Sequence, residues 1–260
     1  MTHYPFPDSR GTKIALAAFF TAMLFLARDS MFTTAVIGFE KAQFLMLGVI
    51  CLLGAAFLIV NRRNLLKILK DRRMIVAGIA AAVLLLPMLV KRDWQLMYFS
   101  VLLCLLTAVL LSYCLTVREA AQYYVAILSL LGAYSVLAAY ILRIGVDKGA
   151  YAVPVFQNSM GFEFHNFFLS IVPDTYVKNR NFGIFREPGV YQFFLITALY
   201  LNNYEVEWKK PWQLWLVNGI LAVTMVSTFA TGGVAEMGLL AVVLFFDKKW
   251  YRDKRICAVA

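Results

Sequence analysis

Ala42-Gln43-Phe44-Leu45-Met46-Leu47-Gly48-Val49-Ile50-Cys51-Leu52-Leu53-Gly54-Ala55-Ala56-Phe57-Leu58-Ile59-Val60, followed at once by Asn61-Arg62-Arg63, decides the fold. It is a run of nineteen residues without an acidic or basic side chain. A helix on a soluble domain shows one apolar stripe and one polar face; this run is apolar on all sides. Its length is close to the roughly 20 residues that a helix needs to cross a bilayer. The loop behind it, residues 61–73, carries Arg62, Arg63, Lys67, Lys70, Arg72 and Arg73. Basic clusters of this kind mark the cytoplasmic end of a span.

The pattern repeats along the chain. Apolar runs at 13–36, 42–60, 74–90, 95–116, 121–143, 190–206, 212–230 and 233–247 predict an all-α polytopic membrane protein of about eight transmembrane helices. The first run is interrupted by Arg28 and Asp29, which are expected to pair at the interface, and the last is short. Residues 1–260 read as a single integral membrane domain with one long external loop, 144–189. Composition agrees: 62% of residues are hydrophobic and 15% charged, against about 25% charged in soluble domains. The net charge of +10 does not imply a nucleic-acid partner, because the basic residues lie in the short connections between apolar runs. With the N-terminus inside, sixteen Lys and Arg fall on inner segments and nine on outer ones, so both termini are expected in the cytoplasm.

Several chemistries find no residues here. His3 and His165 are the only histidines, and neither belongs to a metal-ligand pattern. A lone loop histidine such as His165 is expected to be solvated, and Arg143, at the end of the fifth run, to snorkel outward. Cys51, Cys104 and Cys114 lie in apolar runs and Cys257 in the basic tail, with no disulfide framework. The first apolar run lacks a small-residue cleavage site, so no cleavable signal peptide is expected. No metal and no cofactor is predicted.

The chemistry concentrates in Asn179-Arg180-Asn181-Phe182-Gly183-Ile184-Phe185-Arg186-Glu187-Pro188-Gly189-Val190-Tyr191-Gln192, where the long loop meets an apolar helix. Pro188 suits the first turn of a helix, and Glu187 before it suits the positive end of the helix dipole. Gly189 allows close backbone approach. The plain reading is an acidic helix start with Arg186 reaching toward headgroups. The functional reading rests on Arg180 and Arg186, on either side of Gly183. Two planar guanidiniums are well matched to a diphosphate. Phe182 and Phe185 are expected to pack at the interface.

The pattern R-x-x-G-x-F-x-E-P-G from Arg180 to Gly189 resembles the signature of the O-antigen polymerase and O-antigen ligase superfamily, over roughly residues 145–246. A Ser/Thr-Gly turn like Ser227-Thr228-Phe229-Ala230-Thr231-Gly232-Gly233 follows the motif in polymerases of that group. The resemblance implies a bacterial inner-membrane enzyme, a metal-independent glycosyltransferase of O-antigen, capsule or exopolysaccharide assembly. Its substrate would be an oligosaccharide on undecaprenyl pyrophosphate, and its partners the bilayer and a chain-length regulator or other assembly proteins. Arg186 and Glu187 would be catalytic. Arg180, Arg186, Gly183, Pro188, Gly189, Tyr191 and Gln192 would bind substrate. A ligase, a lipid-linked oligosaccharide flippase and a non-catalytic scaffold are the competing readings; nearly bare spans argue against transport. Enzymes of the superfamily usually have more spans and a second large external loop after the matched region. The expectation is therefore an incomplete product, or one of a split pair, inactive or barely active alone.

Overall fold

The computed structural model describes residues 10–27, 30–64, 67–68, 70–92, 96–157, 161–174 and 179–249. Arg28, Asp29 and Cys257, about which expectations were stated, lie outside the described residues. Within them run α1 (Arg10–Leu26), α2 (Phe39–Val60), α3 (Arg72–Lys91) and α4 (Leu96–Cys114). Next comes α5, Val117–Leu137, which continues through a π-helical turn, Ala138–Leu142, into a last α-helical turn, Arg143–Asp147. Then come α6 (Pro188–Tyr204), α7 (Pro211–Ser227) and α8 (Thr231–Asp247). Seven of these helices match apolar runs to within a few residues; α1 ends at Leu26, ten residues short of the first run's end at 36, and a π-helical segment, Phe32–Ile37, follows it. Among the described residues, three stretches are long and apolar enough to cross a membrane: Glu40–Val60, Arg72–Val90 and Val117–Asp147. Each of α6, α7 and α8 has 17 residues, or about 25 Å at 1.5 Å per residue, the lower end of what a bilayer core requires.

The chain divides into two compact units, residues 1–123 and 124–260. In the first, the surface of the long helices is apolar: Leu52 and Val90 are each 74% exposed. Hydrocarbon suits such surfaces and water does not. One core cluster gathers Leu16, Phe57, Ile68, Tyr113, Cys114 and Leu115; another gathers Leu26, Ala42, Met46, Ile50 and Leu103. Asp71 caps α3, accepting from the Arg73 backbone N–H at 2.9 Å. The Arg73 guanidinium returns to Asp71 at 3.0 Å, donates to the Ser112 carbonyl at 2.6 Å and lies 4.0 Å over the Tyr113 ring. The first turn of α3 is thereby tied to the last turn of α4. The Arg73 partner holds the Asp71 carboxyl below the usual carboxylate range, first through the side-chain hydrogen bond and then through the backbone one.

In the second unit, α6 and α7 form a hairpin closed by amides. Asn202 and Asn203 donate to Asn218 Oδ1 at 2.8 and 3.0 Å, Asn218 donates back to Asn203, and Trp208 donates to Asn202. The all-α reading needs one correction, because the loop 144–189 contains a sheet. Strands β1 (Val155–Gln157), β2 (Glu163–Asn166) and β3 (Ile171–Pro173) are antiparallel in the order β1-β2-β3. Val155 stands opposite His165, and His165 opposite Val172. Phe167 and Val172 pack on Ala138 and Ala139 of the π-helical turn, and Tyr134 of α5 donates to the Phe167 carbonyl at 2.5 Å. The sheet therefore rests on the end of α5. That helix also runs four residues beyond its predicted end at Arg143.

Candidate functional site

The motif 180–189 follows the sheet and leads into α6, all within the second unit. Its backbone is held from both sides. The Ile171 N–H of β3 donates to the Gly183 carbonyl, and the Asn181 N–H donates to the Ser227 carbonyl at the end of α7. Tyr140, carried on the π-helical turn of α5, donates toward the carbonyls of Asn179 and Ser227 at 2.9 and 3.1 Å. A π turn displaces side chains from ordinary helical positions; here it puts a phenol against the motif.

A buried polar hub lies underneath. Asn181 is 1% exposed. Its Nδ2 donates to Ser135 Oγ at 2.8 Å and Ser227 Oγ at 2.9 Å, and its Oδ1 accepts from the Gly183 N–H at 2.9 Å. Ser135 and Ser227 send their own protons to the carbonyls of Gly132 and Thr224. The Tyr191 hydroxyl, 3.1 Å from Ser135 Oγ, must then be the donor of that pair. Gln192 takes over next to it. Its Nδ counterpart, the Nε2 group, donates to Thr228 Oγ1 at 2.7 Å and the Ala230 carbonyl at 2.6 Å, and its Oε1 accepts from the Gly233 N–H at 2.7 Å. The Ser/Thr-Gly turn and the motif, some forty residues apart in sequence, are thus bonded together.

Charged and apolar residues of the motif separate cleanly. Phe182, Gly183, Ile184, Phe185 and Pro188 are buried; Arg180, Arg186, Glu187 and Gly189 are exposed. Phe185 stacks on Phe194 with centroids 4.4 Å apart, and Phe182 meets Phe164 of β2 edge-on at 5.9 Å. Both rings are core residues of the loop, not interfacial anchors. Gly183 has φ +57, and a Cβ there would lie 2.6 Å from the Tyr191 ring. Arg186 and Glu187 approach to 3.9 Å. Glu187 precedes α6 with extended backbone and makes no side-chain cap, so its carboxylate stays exposed beside Arg186. Tyr191 and Gln192, read from the sequence as substrate-binding, are buried and make internal bonds that brace the motif.

Two other expectations are corrected. Arg143 does not snorkel outward: it is 5% exposed, with Nε 3.5 Å from Asp147 and Nη2 donating to the Asp174 carbonyl at 3.2 Å. His165 is not solvated: it is 9% exposed and its Nε2 lies 3.3 Å from Asp174 Oδ1. These contacts fasten the sheet to the end of α5. Sequence reasoning missed Asn181, Ser135 and Tyr140, which carry no motif signal because their partners are distant in the chain. The sheet did leave one: short aromatic and β-branched runs on either side of Gly161. Among the described residues no group of three or more His, Cys, Asp or Glu gathers as a metal site would.

Comparison with protein-family models, curated proteins and solved structures finds no match to this chain.

Proposed function

We propose that this chain is a glycan polymerase of the bacterial inner membrane, acting on repeat units linked to undecaprenyl pyrophosphate in O-antigen, capsule or exopolysaccharide assembly. One observation carries the reading. The only charged residues of the motif, Arg180, Arg186 and Glu187, are exposed together, while the residues between them are buried and bonded in place. Arg180 and Arg186 are both exposed on a braced turn that leads into the N-terminus of α6, and in this reading they offer a cationic edge. Such an edge fits a diphosphate whose isoprenoid lies in the bilayer.

In the reaction, an acceptor sugar hydroxyl attacks the anomeric carbon of the donor. The bond from that carbon to the diphosphate oxygen breaks, and the diphosphate leaves with the electron pair. Arg180 and Arg186 stabilise the charge that develops on it. Glu187 lies 3.9 Å from Arg186, where it can orient the guanidinium. It is assigned chiefly to positioning, with acceptance of the hydroxyl proton as its second role. Gly183, Pro188, Gly189, Tyr191 and Gln192 shape the turn.

The test supplies membranes containing the full chain with lipid-linked repeat units. Elongation supports a polymerase, and transfer only to a different acceptor indicates a ligase. Movement without growth indicates a transporter, and no response indicates a scaffold. Arg186→Ala should weaken donor binding roughly ten- to a hundredfold, since a charge-assisted bond is worth about 1.5–3 kcal/mol. Arg186→Lys should recover part of it. Unchanged affinity in both Arg180→Ala and Arg186→Ala would remove the diphosphate reading.

A further inference from the structure

A groove of about 360 Å³ lies in the first unit, between the beginning of α1 and the end of α2. Its walls include Gly11, Ala15 and Leu16 on one helix and Leu53, Ala56 and Val60 on the other. The volume falls in the range of small-ligand pockets, about 300–1,000 Å³. The lining is almost wholly apolar, and such a cleft beside an apolar span does not hold water well. The surroundings of its mouth are the opposite. Arg10 and Lys13 neighbour the lining residues of α1 in sequence, and Arg62 and Arg63 follow Val60 after Asn61; all four are exposed. Farther along the same connection come Lys67, Lys70 and Arg72. The one carboxylate in residues 61–73, Asp71, is engaged by Arg73.

We propose that this groove binds one anionic glycerophospholipid, with an acyl chain along Ala15 and Ala56 and the headgroup phosphate against Arg10, Lys13, Arg62 and Arg63. An acyl chain matches the apolar wall, and a phosphate matches the cations that the described residues beside the groove carry. Basic clusters at the end of a membrane helix attract anionic lipids in this way. The small residues Gly11, Ala15 and Ala56 also suit close approach of another helix. A second copy docking face to face would set the same cations against one another, so charge selects the lipid over the dimer. The groove lies in the first unit, and the proposal does not depend on the function assigned to the motif 180–189.

The experiment is native mass spectrometry of the full chain released from nanodiscs holding equal phosphatidylglycerol and phosphatidylcholine with a trace of undecaprenyl phosphate. One retained phosphatidylglycerol per chain is expected. The double variant Arg62→Ala/Arg63→Ala should lower that retention roughly ten- to thirtyfold and leave phosphatidylcholine unchanged. Ala56→Phe should abolish it by filling the groove. Ala56 is exposed on the groove wall, so the larger side chain has room without repacking the core, and an unaltered helical circular dichroism spectrum checks this. Equal retention of the two phospholipids, or retention indifferent to both variants, overturns the proposal. Preference for undecaprenyl phosphate, or a mass of two chains lost in Ala56→Phe, assigns the groove to the carrier or to a second copy and overturns it as well.

Discussion

The carboxamide of Asn181 illustrates what single residues contribute here. It sits between Arg180 and the buried Phe182, yet its bonds all run inward, to Ser135, Ser227 and the Gly183 N–H. Truncating it leaves a buried N–H without an acceptor, which costs about 1–3 kcal/mol. Asn181→Ala should therefore lower the thermal unfolding midpoint in detergent and weaken donor binding as well. Arg180→Ala and Arg186→Ala should weaken donor binding while leaving the midpoint nearly unchanged, because exposed substitutions usually shift stability by no more than about 0.5 kcal/mol. Gly183→Ala is the sharpest case. The left-handed backbone alone costs about 1–2 kcal/mol, and the new methyl collides with the Tyr191 ring. Pairing it with Tyr191→Leu should recover part of the loss in the same melting experiment; no recovery would remove the ring from the explanation. The sequence displayed Arg180, Arg186 and Glu187 as a local pattern. It hid Asn181, Ser135 and Tyr140, because a hydrogen bond across some forty residues of chain has no local signature. It also gave no sign that Tyr191 and Gln192 are buried and bonded internally, since a place next to the motif says nothing about which way a side chain points.

Elements follow the same division. Apolar length is a one-dimensional signal, and α2, α3 and α5 were legible from it almost to their ends. The three strands were not legible from periodicity, since runs of three or four residues are too short to count one; only the aromatic and β-branched residues around Gly161 pointed to them. The π-helical turn at Ala138–Leu142 is likewise silent in sequence, although it brings Tyr140 to the motif. The connection between α3 and α4 offers a test by pH. Arg73 depresses the Asp71 carboxyl below its ordinary value of 3.8. A depressed carboxylate stabilises the fold above its unfolded pKa, and that stabilisation disappears as pH falls through the lower folded value. Asp71→Asn keeps a capping side chain but loses the ion pair with Arg73. It should melt below wild type at pH 7, and the gap should close only below about pH 4. A gap that persists unchanged at pH 2 would mean that the ion pair is not its source.

For the whole molecule, the open quantity is how many of the helices cross. Among the described residues three are long and apolar enough by themselves, whereas α6, α7 and α8 are seventeen-residue helices that either span a thin bilayer or return within it. The basic asymmetry favours the first arrangement. Counting from an inner N-terminus, five crossings put Lys148 outside and a sixth returns Lys209 and Lys210 to the inner side, beside the aromatic residues Trp208, Trp212 and Trp215. Tryptophan next to lysine is the usual dress of a membrane boundary. Single cysteines at the exposed positions Lys148 and Lys210, in a background with Cys51, Cys104, Cys114 and Cys257 changed to alanine, read this directly. An impermeant maleimide applied to intact cells should label Lys148→Cys at once and Lys210→Cys only after permeabilisation. Labelling of both from outside would turn α6 and α7 into a re-entrant hairpin and reduce the count. Labelling of Lys210→Cys alone would invert the protein and place the arginines of the motif on the cytoplasmic side. There they would meet the carrier before its sugars had crossed, and a polymerase working on the outer face would no longer be a consistent reading.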